Sequence, residues 1–345
     1  MSPFPGFGGH KSAPVEPEPA PIQRESTPAE PDSAPVVADR SSAITAASNA
    51  FVAAHMDQAT ALGHGLATLV GSPEAFINVI EQGFTQLGDP TSLEGMARIA
   101  PGLGESLGVR LPLMEAVLKS FKRGSKGVPT PVMLDVVEEL LVHRYSEVRW
   151  FGMWNLERYL TVDTDRTWQL MRMAAAGAAE WITVDTLAHP YATGILREPR
   201  RWSDLQAFVH SSSRWERRLV GSTIATLPHV RHAGAKDKGV ASRGLMLIGL
   251  LVGDPEPDVQ KAISWALRSL VPIDPKAVTA FVERETATAL KTNDGNRAWV
   301  LRDTLPKLPK ETAATIRPQL DGLRRRTGAP SKTKSIKAGA APAHQ

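Results

Sequence analysis

Val259-Gln-Lys-Ala-Ile-Ser-Trp-Ala-Leu-Arg268 is the stretch on which the fold turns. Its apolar residues do not alternate. With about 100° of rotation per residue, Val259, Ala262, Ile263, Ala266 and Leu270 fall into one helical stripe. Trp265 lies roughly 140° from the centre of that stripe, between Lys261 and Arg268 on the polar face. A large aromatic held between two cations, away from the buried side, is a surface for something flat or negatively charged. The alternative is that a neighbouring helix covers the ring, since Trp is usually mostly buried.

Outward from this stretch, the same period runs from residue 46 to about 322, and β-branched alternating runs are absent. Helices are predicted near 46–70, 73–86, 91–100, 111–123, 129–142, 145–160, 164–177, 180–189, 202–211, 213–227, 240–252, 257–270, 275–290, 294–305 and 310–325. Short loops carrying Pro or Gly separate them. The second helix of each pair has a cation or aromatic near its start, then a small-residue apolar stripe. This pattern appears at Glu147-Val-Arg149, Thr183-Val-Asp185, Glu216-Arg-Arg218, Gln260-Lys261 and Asn296-Arg297. Spacings of about 33 to 43 residues are those of HEAT and armadillo helix pairs. The expected fold is therefore all-α: a HEAT-like, armadillo-type α-solenoid of stacked antiparallel pairs. One helix of each pair would line a concave face able to wrap duplex DNA or a partner helix.

Composition divides the 345 residues in three. Residues 1–45 are dense in Pro, Ala, Ser and Glu, too poor in large apolar groups to offset ordering entropy, and are expected to be a disordered extension. Residues 46–322 form the repeat domain, and 323–345 a disordered basic tail. The first 45 residues carry 3 basic and 6 acidic side chains, the last 23 carry 6 basic and none acidic, and the formal net charge is +4, which leaves about +1 on the body. Any basic footprint on the body must therefore come from clustering. The tail, with Arg324, Arg325, Arg326, Lys332, Lys334 and Lys337, has the look of a non-specific polyanion arm.

Several classes are excluded. With no cysteine there is no disulfide, thiolate zinc site, iron–sulfur cluster or Cys nucleophile. The nine histidines show no His-Glu-x-x-His spacing, so neither a metal site nor a cofactor is expected. No apolar core follows a basic start, so no secretory signal is expected. The longest apolar run, Gly244 to Gly253, falls well short of the roughly 20 residues of a membrane span. A cytoplasmic protein without a membrane partner is the economical reading.

Two helices carry candidate chemistry. In 213–227 the stripe is Leu219, Val220, Thr223, Ile224 and Leu227, and Arg218 lies about 170° from it with Gly221, Ser222 and Ala225 as neighbours. Small residues around a guanidinium let a backbone or a phosphate come close; otherwise Arg218 is an ordinary solvated arginine. In 180–189, Trp181 and Asp185 are four apart on one face, at the edge of the stripe made by Val184, Leu187 and Tyr191. An Asp beside an indole in a half-buried groove suits stabilisation of a cation where water is excluded. The alternative is a helix-edge Asp paired with a neighbouring Arg.

Taken together, Leu107-Gly-Val-Arg-Leu-Pro112, Glu147-Val-Arg149, Trp181-Ile-Thr-Val-Asp185, Ser213-Arg-Trp-Glu-Arg-Arg218 and Lys261-Ala-Ile-Ser-Trp-Ala-Leu-Arg268 resemble the ordered landmarks of the AlkD-like DNA alkylation repair glycosylases over about residues 95 to 310. The resemblance implies a HEAT-like solenoid, acting as a monomer near the nucleoid, that wraps double-stranded DNA and hydrolyses the N-glycosidic bond of cationic alkylpurines such as N7-methylguanine and N3-methyladenine. By the same resemblance Asp185 is the catalytic carboxylate, with Trp181 and Trp265 against the deoxyribose backbone at the lesion. Arg218 would contact the DNA backbone, and Arg268, Lys261, Arg149, Trp215 and the tail arginines Arg324, Arg325 and Arg326 would complete the DNA-binding set. Alkylation already makes the base a cationic leaving group, so no general acid is needed; one carboxylate can stabilise the oxocarbenium-like sugar and position water. Members of the family leave the lesion stacked and act on the sugar from outside. Ile182 and Phe208 depart from the family's usual polar or acidic residue and Trp, respectively. Two other classes remain open at this point: a relative that binds bent or branched DNA without chemistry, and a protein-interaction solenoid.

Overall fold

The computed structural model describes residues 34–324, with side chains from Ala43 onward. The described helices are α1 (Ala34–Thr68), α2 (Pro73–Gln86), α3 (Pro90–Ile99), α4 (Leu111–Gly124), α5 (Thr130–Leu141), α6 (Ser146–Leu156), α7 (Thr164–Ala176), α8 (Trp181–Arg197), α9 (Trp202–Phe208), α10 (Arg214–Thr226), α11 (Lys238–Leu251), α12 (Pro257–Leu270), α13 (Pro275–Thr292), α14 (Gly295–Thr304) and α15 (Lys310–Asp321). Among the described residues extended pairing is confined to two isolated bridges, Gly88 with Val109 and Glu105 with Tyr145. The fold is an all-α solenoid of helix pairs.

The helix boundaries follow local chemistry. Aspartates cap the starts of α3, α7, α11, α13 and α14, each accepting N–H groups of the first turn. Proline opens α2, α3, α12 and α13, where its missing N–H is no loss. Three expected boundaries move. Helix α1 begins at Ala34, ahead of residue 46; from Ala43, where side chains are described, its alanine-rich turns are mostly exposed, so helix propensity accounts for them without burial. Residues 1–33 of the expected extension lie outside the described residues. Helix α8 runs eight residues past His189, through Pro190, because Tyr191 to Leu196 are all buried; burial outweighs the lost hydrogen bond. Leu323 is buried and its carbonyl accepts from Arg302, so the packed body reaches one residue into the expected tail.

The chain divides at Ser48, and everything after that point belongs to one unit. Within it the second helices α4, α6, α8, α10, α12 and α14 contact one another in chain order, and first helices α5, α7, α11, α13 and α15 form the other layer. Side-chain bonds one repeat long stitch the second-helix layer together, such as Trp150 Nε1 to Thr183 Oγ1 at 2.9 Å.

Helix α10 departs from the usual half-exposed pattern. It lies between α8 and α12, and every residue from Arg218 to Pro228 is buried. Gly221 makes this possible: a Cβ there would stand 2.7 Å from the carbonyl carbon of Ala262 and 2.8 Å from its Cβ. The small residues of α10 admit the backbone of α12, and α10 is thereby recessed beneath its neighbours. Gly221→Ala should therefore lower stability by roughly 1–3 kcal/mol through overpacking, against the gain of about 1 kcal/mol usual for Gly→Ala inside a helix. A thermal or urea unfolding curve decides; an unchanged or raised midpoint would mean α12 can move aside.

Candidate functional site

Helix α8 starts where it does because Glu180, held extended, accepts the N–H groups of Ile182 and of Thr183, the latter at 2.8 Å. Burial pushes the Glu180 carboxyl above the usual carboxylate range, while these capping bonds oppose the shift. The cap places Trp181 in the first turn and Asp185 directly one turn on. Trp181 is half-buried, and its Nε1 donates to the Ile99 carbonyl at 3.0 Å, which fixes the indole against the end of α3.

Asp185 is met from α10, one repeat later. Arg218 Nη2 donates to Oδ2 at 2.8 Å, Arg218 Nε to Oδ1 at 3.2 Å, and Ser222 Oγ to Oδ1 at 2.6 Å. The third arm of the guanidinium, Nη1, donates to the Asp258 carbonyl on α12 at 2.8 Å. Its Cζ lies 6.0 Å from the Trp181 ring. An ionised carboxylate offers about four acceptor sites; three are taken here, and the remaining one is on Oδ2. The Asp185 side chain is 22 % exposed against 6 % for Arg218, so the open side of the pair belongs to the carboxylate.

Arg218, expected to contact the DNA backbone, is buried between α8 and α12, where its close partners in the protein are Asp185 and the Asp258 carbonyl. Arg268 also differs: it bonds Asp303 of α14 as an ion pair, with Nη1 also reaching Ser264 Oγ at 3.1 Å. Arg149 turns back on its own loop, donating to the carbonyls of His143 and Arg144, each at 2.7 Å; Arg217 does the same to Ser211 and Ser212 two repeats further on. An arginine four residues into a second helix can reach the carbonyls that the preceding loop leaves unpaired, so the repeat signature reports a structural tie. Trp215 is half-buried under the Arg214 guanidinium, 4.6 Å from its ring. Trp265 and Lys261 are half-buried on α12, and Trp265 packs against the core. Arg324 is exposed and donates to the Asp321 carbonyl; Arg325 and Arg326 lie outside the described residues.

Three participants escaped sequence reading. Ser222 reads as a small packing residue, although its place four after Arg218 puts its hydroxyl beside the same carboxylate. Asp303 repeats the motif from the other direction: it receives Ser264 Oγ at 2.9 Å and Arg268, again a serine and an arginine four apart on the adjoining helix. Glu147, fully buried, accepts from the N–H groups of Leu107 and Gly108 and from Ser106 Oγ, and so anchors the loop before α4. Glycine at 102, 104 and 108, all with positive φ, lets that loop turn.

The sequence model of the DNA alkylation repair enzyme family matches residues 80–308, about two thirds of the chain and all of this site. The chain belongs to that family. Membership makes it a DNA-repair enzyme with DNA as its substrate. A comparison with curated proteins found no match. Among the described residues of this repair enzyme, no group of three His, Cys, Asp or Glu is arranged to hold a metal ion, and no helix is long and apolar enough to cross a membrane.

Replacing Arg218 by Ala should leave Asp185 and the Asp258 carbonyl short of partners, at a cost of about 3 kcal/mol or more for a broken buried pair. A fall in the unfolding midpoint accompanying any loss of DNA affinity is the expected result; lost affinity with unchanged stability would return Arg218 to the role of a surface contact. A second prediction concerns Lys122 on α4, whose Nζ donates to the Trp154 carbonyl at 3.1 Å. Burial, with Arg158 adding repulsion, pulls its pKa down to about 8. The charged form is penalised in the folded state, so the penalty is full below pH 8 and disappears as pH rises from there towards the unfolded value. Lys122→Met should accordingly be the more stable protein at pH 7, by about 3 kcal/mol at most. That margin should shrink in unfolding curves taken at pH 9 to 10; a pH-independent margin would show that the lysine is uncharged or solvated throughout.

Proposed function

We propose that the enzyme is a monofunctional DNA glycosylase that hydrolyses the N-glycosidic bond of cationic alkylpurines, N7-methylguanine and N3-methyladenine among them, in double-stranded DNA. The observation that carries this reading is a carboxylate held rigid on three sides beside a half-buried tryptophan, with one acceptor position of Oδ2 left open. Water adds to C1′ of the sugar as the bond to the base breaks, and the bonding electron pair leaves with the base and neutralises its positive charge. No acid has to protonate this leaving group. What the protein must supply is negative potential at the developing oxocarbenium and an orientation for water, and an oriented Asp185 offers both. Arg218 and Ser222 act through Asp185: they set its angle. Trp181 and Trp265 form flat apolar walls for the deoxyribose, and Lys261 adds positive charge beside Trp265. One copy carries all these groups, which supports a monomer, and a DNA substrate is in keeping with a cytoplasmic protein working at the nucleoid.

One fact favours a second reading, binding to distorted DNA without chemistry: a carboxylate so fully paired is also a good structural tie between repeats. Release of N7-methylguanine from a defined duplex separates the two. Wild type should release it, Asp185→Asn should bind the duplex as tightly and lose at least about 100-fold in rate, and binding without release by either protein would establish the second reading. Trp265→Ala should slow release more than about tenfold while costing under about 3 kcal/mol of stability, because the ring is half-buried; a larger thermal shift without a rate effect would make it a packing residue.

A further inference from the structure

The second helices run parallel, so their ends define two edges of the unit, and those edges treat cations differently. At the N-terminal ends the arginines are occupied. Arg110 bonds Asp89, Arg144 bonds Glu81, Arg217 bonds Asp254 and Arg297 bonds Glu285 and Asp294, while Arg149 is bound to loop carbonyls. At the C-terminal ends Arg268 of α12 is paired with Asp303 of α14, but six other cations are free of such partners. Arg123 in the last turn of α4 and Lys126 just after it, Arg197 closing α8, Arg231 and Lys236 in the α10–α11 loop and Lys238 opening α11 are all exposed, and among the described residues none of the six has a carboxylate partner.

The acids on this second edge are already engaged. Asp163, Asp237 and Asp274 cap the first helices that start there, and Glu198 is held by Arg200 and Arg201. The edge is continuous: Arg158 Nη1 reaches Ser125 Oγ at 3.3 Å, Thr193 Oγ1 reaches Glu157 at 3.1 Å, and Arg243 Nη1 reaches the Pro199 carbonyl at 3.5 Å. Aligned helix C-termini favour nearby cations, which accounts for lysine and arginine close to the helix ends. It does not account for Arg231 and Lys236, which sit in the longest loop of this edge, beyond the last turn of α10.

We infer that this edge is a phosphate track: it neutralises the backbone of the duplex flanking the lesion, and the α10–α11 loop is its strongest segment. The inference rests on the proposed reading only in that DNA lies across the second-helix layer; it needs no catalysis. It resolves the fate of the buried arginines, because affinity comes from this edge while Arg218, Arg268 and Arg149 hold the fold. Exposed cations that neutralise phosphates release condensed counterions, so each one contributes to the salt dependence of binding.

The test compares two triple variants of the full chain on an unmodified 20-base-pair duplex, with anisotropy titrations between about 50 and 200 mM salt. Arg231→Gln, Lys236→Gln, Lys238→Gln together should raise Kd at least tenfold near 100 mM and lower the log–log salt slope by about 2 to 3. Arg98→Gln, Lys291→Gln, Arg317→Gln removes the same charge from exposed positions elsewhere and should change neither quantity by more than about twofold. Equal effects from both triples, or none from the first, would overturn the inference. Single-turnover release of N7-methylguanine at saturating enzyme is followed in parallel for wild type and for the second triple, whose rates should agree. If wild type releases no base, the glycosylase reading fails while the binding comparison still decides the track.

Discussion

The Arg218 guanidinium is the constraint on which the site depends. Each of its three nitrogens bonds within the protein, two on Asp185 of α8 and one on the Asp258 carbonyl of α12, while its own backbone belongs to α10. Three consecutive second helices are thereby fixed in register by one planar group. A lysine in its place would provide charge without the fork, and neither the carboxylate angle nor the tie to α12 would follow.

Recessing α10 is the packing counterpart of this electrostatic tie. Gly221 brings the backbone of α12 to within contact of α10, and Ser222 and Ala225 leave no bulk to hold the neighbours apart. The result is a floor of small and polar groups with Asp185 and Trp181 on one side and Lys261 and Trp265 on the other. Side chains on rigid helix positions are held to tighter tolerances than side chains on loops, and here two are fixed again by bonds to neighbouring helices: Trp181 to Ile99, Asp185 to Arg218 and Ser222.

Cations divide the labour in a way that charge counting conceals. The body carries almost no net charge, yet pairing is uneven: the arginines at the N-terminal ends of the second helices hold the stack together, and unpaired lysines and arginines collect at the other ends. Helix dipoles make that arrangement inexpensive, since carboxylates are favoured at helix starts and cations at helix ends. A near-neutral solenoid can in this way present a positive edge to a polyanion without the self-repulsion of a strongly basic protein.

Helical periodicity in the sequence determined nearly every helix, because the 3.6-residue stripe of residues such as Val259, Ile263 and Ala266 is a local property that burial then enforces. It also singled out Asp185, Trp181 and Trp265, since a carboxylate and two indoles off the apolar stripe are anomalies visible on a helical wheel. A wheel knows only one helix. It shows which way Arg218, Arg268 and Arg149 point, and leaves undetermined whether water, a phosphate or another helix stands there. Only the tertiary structure decided that these three arginines meet Asp185, Asp303 and the carbonyls of a loop, that Ser222 is a hydrogen-bond donor to the site, and that the run through Pro190 stays helical. The contacts of Asp185 and Asp303 join residues 33 to 39 apart, and the run through Pro190 rests on burial of whole turns, so those energies are fixed by how the pairs stack and not by any local pattern, whereas Arg149 reaches back only five and six residues, to carbonyls its own loop presents.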